Sequence, residues 1–361
     1  MDLSTATAQP RRFLAFTTST ILSPFGYGKE LVALGFAIWL ISFSVTTAMN
    51  NTWLSENESQ LAVTLSHPAI SRIMLNPHEG MICLYENFTH VVAIDEARGD
   101  VLLSHAVPGI HRLELGCDPD GWSFLALKGD HAIEWWHSAT GRIEVESPDG
   151  TELDDVTLSK SGRVAAAVTT DGHLATWRVE DTGELRRTEG VLSPETDRIL
   201  LSPNGEILAG KTKDNRLGFY RAADGSELSA MKQQNSLFVS SAWSANSEWF
   251  ATGLESNRIR IFNVADGSRA VREVAVGMLP ISIALSEDGR WLVASLSSGE
   301  LRAWHDDEPV WSTSTYPTIV RSMDVSADSQ RVICGGVDGR MLTYSTTTGT
   351  VVETKHTAPL D

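Results

Sequence analysis

The stretch "LSEDGRWLVASLSSGELRAW", Leu285 to Trp304, decides the fold, because a near-copy stands 84 residues earlier as "LSPNGEILAGKTKDNRLGFY", Leu201 to Tyr220. Few letters match, yet the turn, the apolar rhythm and the closing aromatic fall at the same places. Taking the residue that opens the turn as an anchor, copies start at Leu75, Cys117, Leu158, Leu201, Trp243, Leu285 and Val325. The steps between them are 42, 41, 43, 42, 42 and 40 residues. Nineteen residues beyond each anchor stand Ile94, Trp136, Trp177, Tyr220, Phe262, Trp304 and Tyr344, six of the seven aromatic in a chain that is only 7% aromatic. A fixed period of this length is the mark of a repeat architecture.

The punctuation agrees. Four residues after the anchor comes Gly121, Gly162, Gly205 or Gly289, with Ser247 and Ser329 as substitutes, and thirteen after it Asp130, Asp171, Asp214 or Asp338. Both are tight-turn residues, suited to positive φ or to Asx-type bonding. The intervening runs, such as "WLVAS" and "IRIFNV", carry the branched and aromatic residues that strands favour. Four such strands per copy make one blade, so seven copies predict an all-β, seven-bladed β-propeller over residues 59–361. Closure admits two arrangements, with either "QLAVTL" (60–65) or "TVVETK" (350–355) as outer strand of the last blade; the first is favoured.

With turn, strand, "DG" turn, strand and aromatic at this period, the pattern resembles the WD40 repeat. The departures are that the residue after the aromatic is Asp only once, as Asp95, and that the second-strand hydroxyl is kept only as Thr252. The resemblance implies a divergent WD40-like propeller, a rigid ring that presents loops to protein partners.

Residues 31–49, "LVALGFAIWLISFSVTTAM", carry no charge and no proline. As a helix they would span roughly 28 Å, one hydrocarbon core. Arg11, Arg12 and Lys29 precede the run, and no Lys or Arg follows it before Arg72. The positive-inside rule then predicts a cytoplasmic tail (1–29), a single transmembrane signal-anchor helix (30–50), a linker (51–58) and an extracytoplasmic propeller, periplasmic in a bacterium. A cleaved signal peptide and an organellar presequence are the competing readings.

Chemistry is sparse. A net charge of −17 argues against a nucleic-acid binder. Cys83, Cys117 and Cys334 are too few and too scattered for a disulfide framework or a metal knuckle. His131 and His137 share a strand face but lack a third metal ligand, and the pairs Asp154–Asp155 and Asp306–Asp307 read as solvated loop acids. No nucleophile elbow, P-loop or dinucleotide fingerprint occurs. No catalytic residue, metal or cofactor is therefore assigned. Asp130, Asp171, Asp214 and Asp338 recur on one rim, where they can form an acidic channel mouth or simply brace their own turns. The leading expectation is a membrane-anchored interaction scaffold; the alternative is an extracytoplasmic propeller enzyme or small-ligand binder, lactonase-like or quinoprotein-like.

Overall fold

A computed structural model describes residues 69–356 apart from 77–80, 87–89, 96–99, 108, 129–131, 146–151, 234–235, 265–268, 316–317 and 327. Twenty-eight strands, numbered β1 to β28 in chain order, form seven four-stranded antiparallel sheets, each from four consecutive strands. The protein is a seven-bladed β-propeller. The first strands line the ring: β1 (Ile70–Asn76), β5 (Ile110–Asp118), β9 (Leu153–Leu158), β13 (Thr196–Leu201), β17 (Phe238–Trp243), β21 (Pro280–Leu285) and β25 (Val320–Val325). β1 lies against both β5 and β25, so the circle closes. Second strands such as β10 (Val164–Thr169) are wholly buried, whereas fourth strands such as β12 (Leu185–Val191) and β24 (Glu308–Ser314) are largely exposed.

Why these residues build blades is visible in one row per sheet. Leu201 pairs with Leu208, which pairs with Tyr220; Leu285, Leu292 and Trp304 form the same row two blades on. Each row packs into the seam with the preceding blade. Trp177 joins Leu125, Leu127 and Trp135 of blade 2, and Tyr344 joins Ala284, Val293 and Ala303 of blade 6. Seven apolar clusters among the described residues fill the seven seams. The repeating aromatics are thus core residues, and burial pushes the Tyr220 and Tyr344 hydroxyls up to about 12.

The turn between first and second strands explains the recurring serine after the anchor. Ser202, Ser244 and Ser286 are fully buried. Each Oγ accepts the N–H that opens the second strand, from Ile207, Trp249 and Trp291, and donates to the Asn or Asp two residues on. Ser247 and Ser329 take the positive φ that Gly162, Gly205 and Gly289 take in the other copies.

Three expectations change. Among the described residues the outer strand of the last blade is β28 (Val351–His356), the less favoured of the two arrangements; residues 60–65 lie outside the described residues. In blade 2 the row residue is Leu115, paired with Phe124, rather than Cys117, which pairs with Trp122. The hairpin there is longer, and its extra residues reach over the neighbouring turn: Cys117 N–H donates to the carbonyl of Lys160 at 2.8 Å. Finally, Asp154 and Asp155 stand in inner strand β9, not in a loop. Residues 31–49 lie outside the described residues, among which no helix is long and apolar enough to cross a membrane.

Candidate functional site

The inner strands enclose the central channel, and all seven carry a bulge near their start: the register shifts between Ile70 and Arg72, Ile110 and Arg112, Thr196 and Arg198, Phe238 and Ser240, Pro280 and Ser282, and Val320 and Ser322, and opposite Leu153. A bulge re-aims the residues that follow it. Just beyond it the seven blades place Arg72, Arg112, Asp155, Arg198, Ser240, Ser282 and Ser322. At this position the ring is therefore charged along blades 1 to 4 and neutral along blades 5 to 7.

The charges form one chain from blade to blade. Arg72 Nη2 lies 2.6 Å from Glu114 Oε1, and Arg112 Nη2 is 2.9 Å from the same oxygen. Arg112 Nε then approaches Asp155 Oδ1 at 3.4 Å, and Arg198 Nη1 reaches that oxygen at 3.8 Å. The Asp155 side chain is 1% exposed, and its Oδ2 accepts the Ile199 N–H at 3.0 Å. Burial alone would lower the Arg112 guanidinium, but Asp155 and Glu114 more than offset this and hold it above its ordinary value. Buried charges persist only when paired in this way.

A second link crosses the ring. Lys160, in the turn after β9 of blade 3, puts Nζ 2.7 and 2.8 Å from the two carboxylate oxygens of Asp324 in β25 of blade 7. Asp324 Oδ2 also accepts the N–H of Leu75 in blade 1, and Ser322 Oγ accepts that of Ile73. One ion pair therefore braces non-adjacent blades at the mouth where first and second strands turn, and its acid fastens the closing seam.

The predicted rim acids sit at the opposite mouth, since the turn between second and third strands faces away from the first. Asp171 and Asp214 are exposed, and each accepts a hydrogen bond from the hydroxyl two residues before it, of Thr169 and Thr212. Those hydroxyl bonds hold both carboxyls below the usual range. Asp338 is buried and bonded by the Thr318 hydroxyl and by Arg340 of its own blade. Each acid is thus engaged within its own blade; Asp130 lies outside the described residues.

The histidines divide likewise. His131 lies outside the described residues, whereas His137 is buried rather than at the surface. Its Nδ1 accepts the Ala139 N–H at 3.1 Å, which leaves Nε2 to donate to Asp118 Oδ1 at 3.2 Å. Arg163 Nε holds the other Asp118 oxygen at 3.0 Å. No group of three potential metal ligands occurs among the described residues. Cys117 and Cys334 are buried, and burial raises the Cys334 thiol far above its ordinary value. Asp306 and Asp307 lie exposed in a positive-φ turn, Asp306 on Arg290.

What stays unused is a set of large apolar side chains at the mouth that carries Asp171 and Asp214. Leu237, Met278 and Ile319 are 39%, 42% and 41% exposed, in the connections leading into the inner strands of blades 5, 6 and 7. The fold thus defines a propeller in which Glu114, Asp155 and Asp324 pair with channel cations, while large exposed apolar side chains stand both at this mouth and on outer strands such as β12, β24 and β28. No protein-family model matches the chain, and no curated protein matches it either.

Proposed function

We propose that this chain is a membrane-anchored interaction platform, a divergent WD40-like propeller held by a signal anchor at residues 31–49 with its blades on the extracytoplasmic side. The observation that carries the reading is the fate of the channel charges. Glu114, Asp155 and Asp324 bind cations of other inner strands and turns, so the groups best placed for chemistry serve the ring itself. Catalytic sites keep titratable groups poised in a cleft; here three large exposed apolar side chains, Leu237, Met278 and Ile319, stand at one mouth, which suits contact with another protein. A rigid ring supplies preformed geometry, and anchoring raises the local concentration, so that modest contacts suffice.

The test is capture by mild crosslinking of the full-length protein in its native membranes, compared with a Leu237→Glu, Ile319→Glu variant. A stoichiometric companion lost in the variant supports the platform. A chain recovered alone, or a companion held equally by the variant, overturns it.

A further inference from the structure

Arg321 differs from the other cations of the ring. It occupies the bulge of β25, between Val320, paired with Gly336, and Ser322, paired with Gly335. The same bulge position holds Asp154 and Asp197 in blades 3 and 4, where Lys213 and Lys211 approach them at 3.8 and 3.1 Å. Arg72, Arg112 and Arg198 share Glu114 and Asp155. Arg321 has neither a hydrogen bond nor an ion pair among the described residues. The residue is exposed, yet desolvation by the surrounding protein lowers its guanidinium below the ordinary value, with no carboxylate to offset the effect.

The equivalent positions of the other blades are asymmetric around the ring. In the neighbouring blades the equivalent bulge residues are Ile281 and Ser71, and the Ser71 Oγ is buried with no hydrogen-bond partner among the described residues. One backbone bond fixes a further equivalent position, where a carbonyl accepts the N–H that ends the second strand. Glu152 and Glu195 hold it in blades 3 and 4, but Leu237, Leu279 and Ile319 hold it in blades 5, 6 and 7. At this position the mouth is thus acidic in blades 3 and 4 and apolar in blades 5 to 7, and the unpaired cation belongs to the second arc.

We propose that this arc binds a carboxylate carried on an apolar body, with Arg321 taking the carboxylate and Ile319, Met278 and Ile281 covering the body. A guanidinium presents a planar fork of donors that a carboxylate matches with two parallel bonds. A single cation in an apolar setting, on a chain of net charge −17, disfavours a multiply charged anion such as a phosphate. The carboxylate can belong to an acidic residue flanked by large apolar ones in a partner's segment, which rests on the platform reading, or to a free organic acid, which does not.

The experiment is calorimetric titration of the purified full-length chain with two probes, hexanoate and the blocked tripeptide acetyl-Leu-Asp-Leu-amide, with hexylammonium as control. Saturable binding of a carboxylate probe, weakened tenfold or more by Arg321→Gln and also by Met278→Gln, is expected, with no binding of hexylammonium. A tighter tripeptide assigns the site to a partner segment, and tighter hexanoate assigns it to an organic acid. The Arg321→Gln variant should unfold no earlier than the parent, because the side chain it loses has no partner in the fold. Failure of both carboxylates to bind, or equal binding by Arg321→Gln, overturns the proposal, whatever the membrane crosslinking returns.

Discussion

Asp155 gathers partners from the blades on both sides of it: two guanidiniums and one backbone N–H converge on a carboxylate that is 1% exposed. Replacing it with Ala leaves Arg112 without one of its two acids and the Ile199 N–H unsatisfied, a loss of about 3–5 kcal/mol by analogy with broken buried pairs. Asp171→Ala at the exposed rim should leave the urea midpoint essentially unchanged, and urea unfolding of the two variants gives the comparison. Asp118 makes the pH prediction. Burial would raise its carboxyl, but hydrogen bonds from His137 and Arg163 dominate and hold it below the usual value. Its contribution is then complete above the unfolded value of about 3.9 and disappears as pH falls through the depressed folded value. Asp118→Asn should therefore be less stable than the parent at pH 7, and the difference should shrink below about pH 4. Melts from neutral to acid pH that keep a constant gap would contradict this.

At the level of the element, blade 2 departs from its sisters because its first hairpin is longer and rests on the next turn. A Cβ on Gly116 would stand 2.6 Å from Gly162 Cα and 2.7 Å from the Ser159 carbonyl oxygen, both backbone atoms that cannot swing aside. Gly116→Ala should cost about 1–3 kcal/mol, measured as a drop in the urea midpoint, and a neutral result would remove the contact between the two turns. What the sequence reveals and what it hides separate here. The row of anchor, second-strand apolar and aromatic is legible because the same residue type must fill the same seam in every blade. The channel chain is not, since it takes Arg72 from one blade, Glu114 and Arg112 from the next, and Asp155 and Arg198 from the two after. Charges that balance across blades need not repeat within them. The bulges hide as well: nothing in "TDRILL" (196–201) announces that Asp197 is skipped by the ladder, and the same skip in β9 makes Asp154–Asp155 look like loop acids.

Among the described residues the blades form a ring that seals without a strand shared between the first and last blades. Blade 7 is complete in β25 to β28, so the seal consists of the apolar seam of Ile70, Ile73 and Leu75 with Ile333 and Met341, plus two bonds from blade 1 to Ser322 and Asp324. Lys160 reaches that same Asp324 from blade 3, 164 residues away in sequence. The claim on which the reading of the channel rests is that its paired charges brace the ring instead of awaiting a ligand. A double-mutant cycle on Lys160→Met and Asp324→Asn, read by urea unfolding of the full-length protein, addresses that claim most directly. Braced blades predict a coupling energy of about 0.5–3 kcal/mol between the two positions. Additivity within about 0.5 kcal/mol would mean that the two charges do not meet, and the channel would again be a place for chemistry.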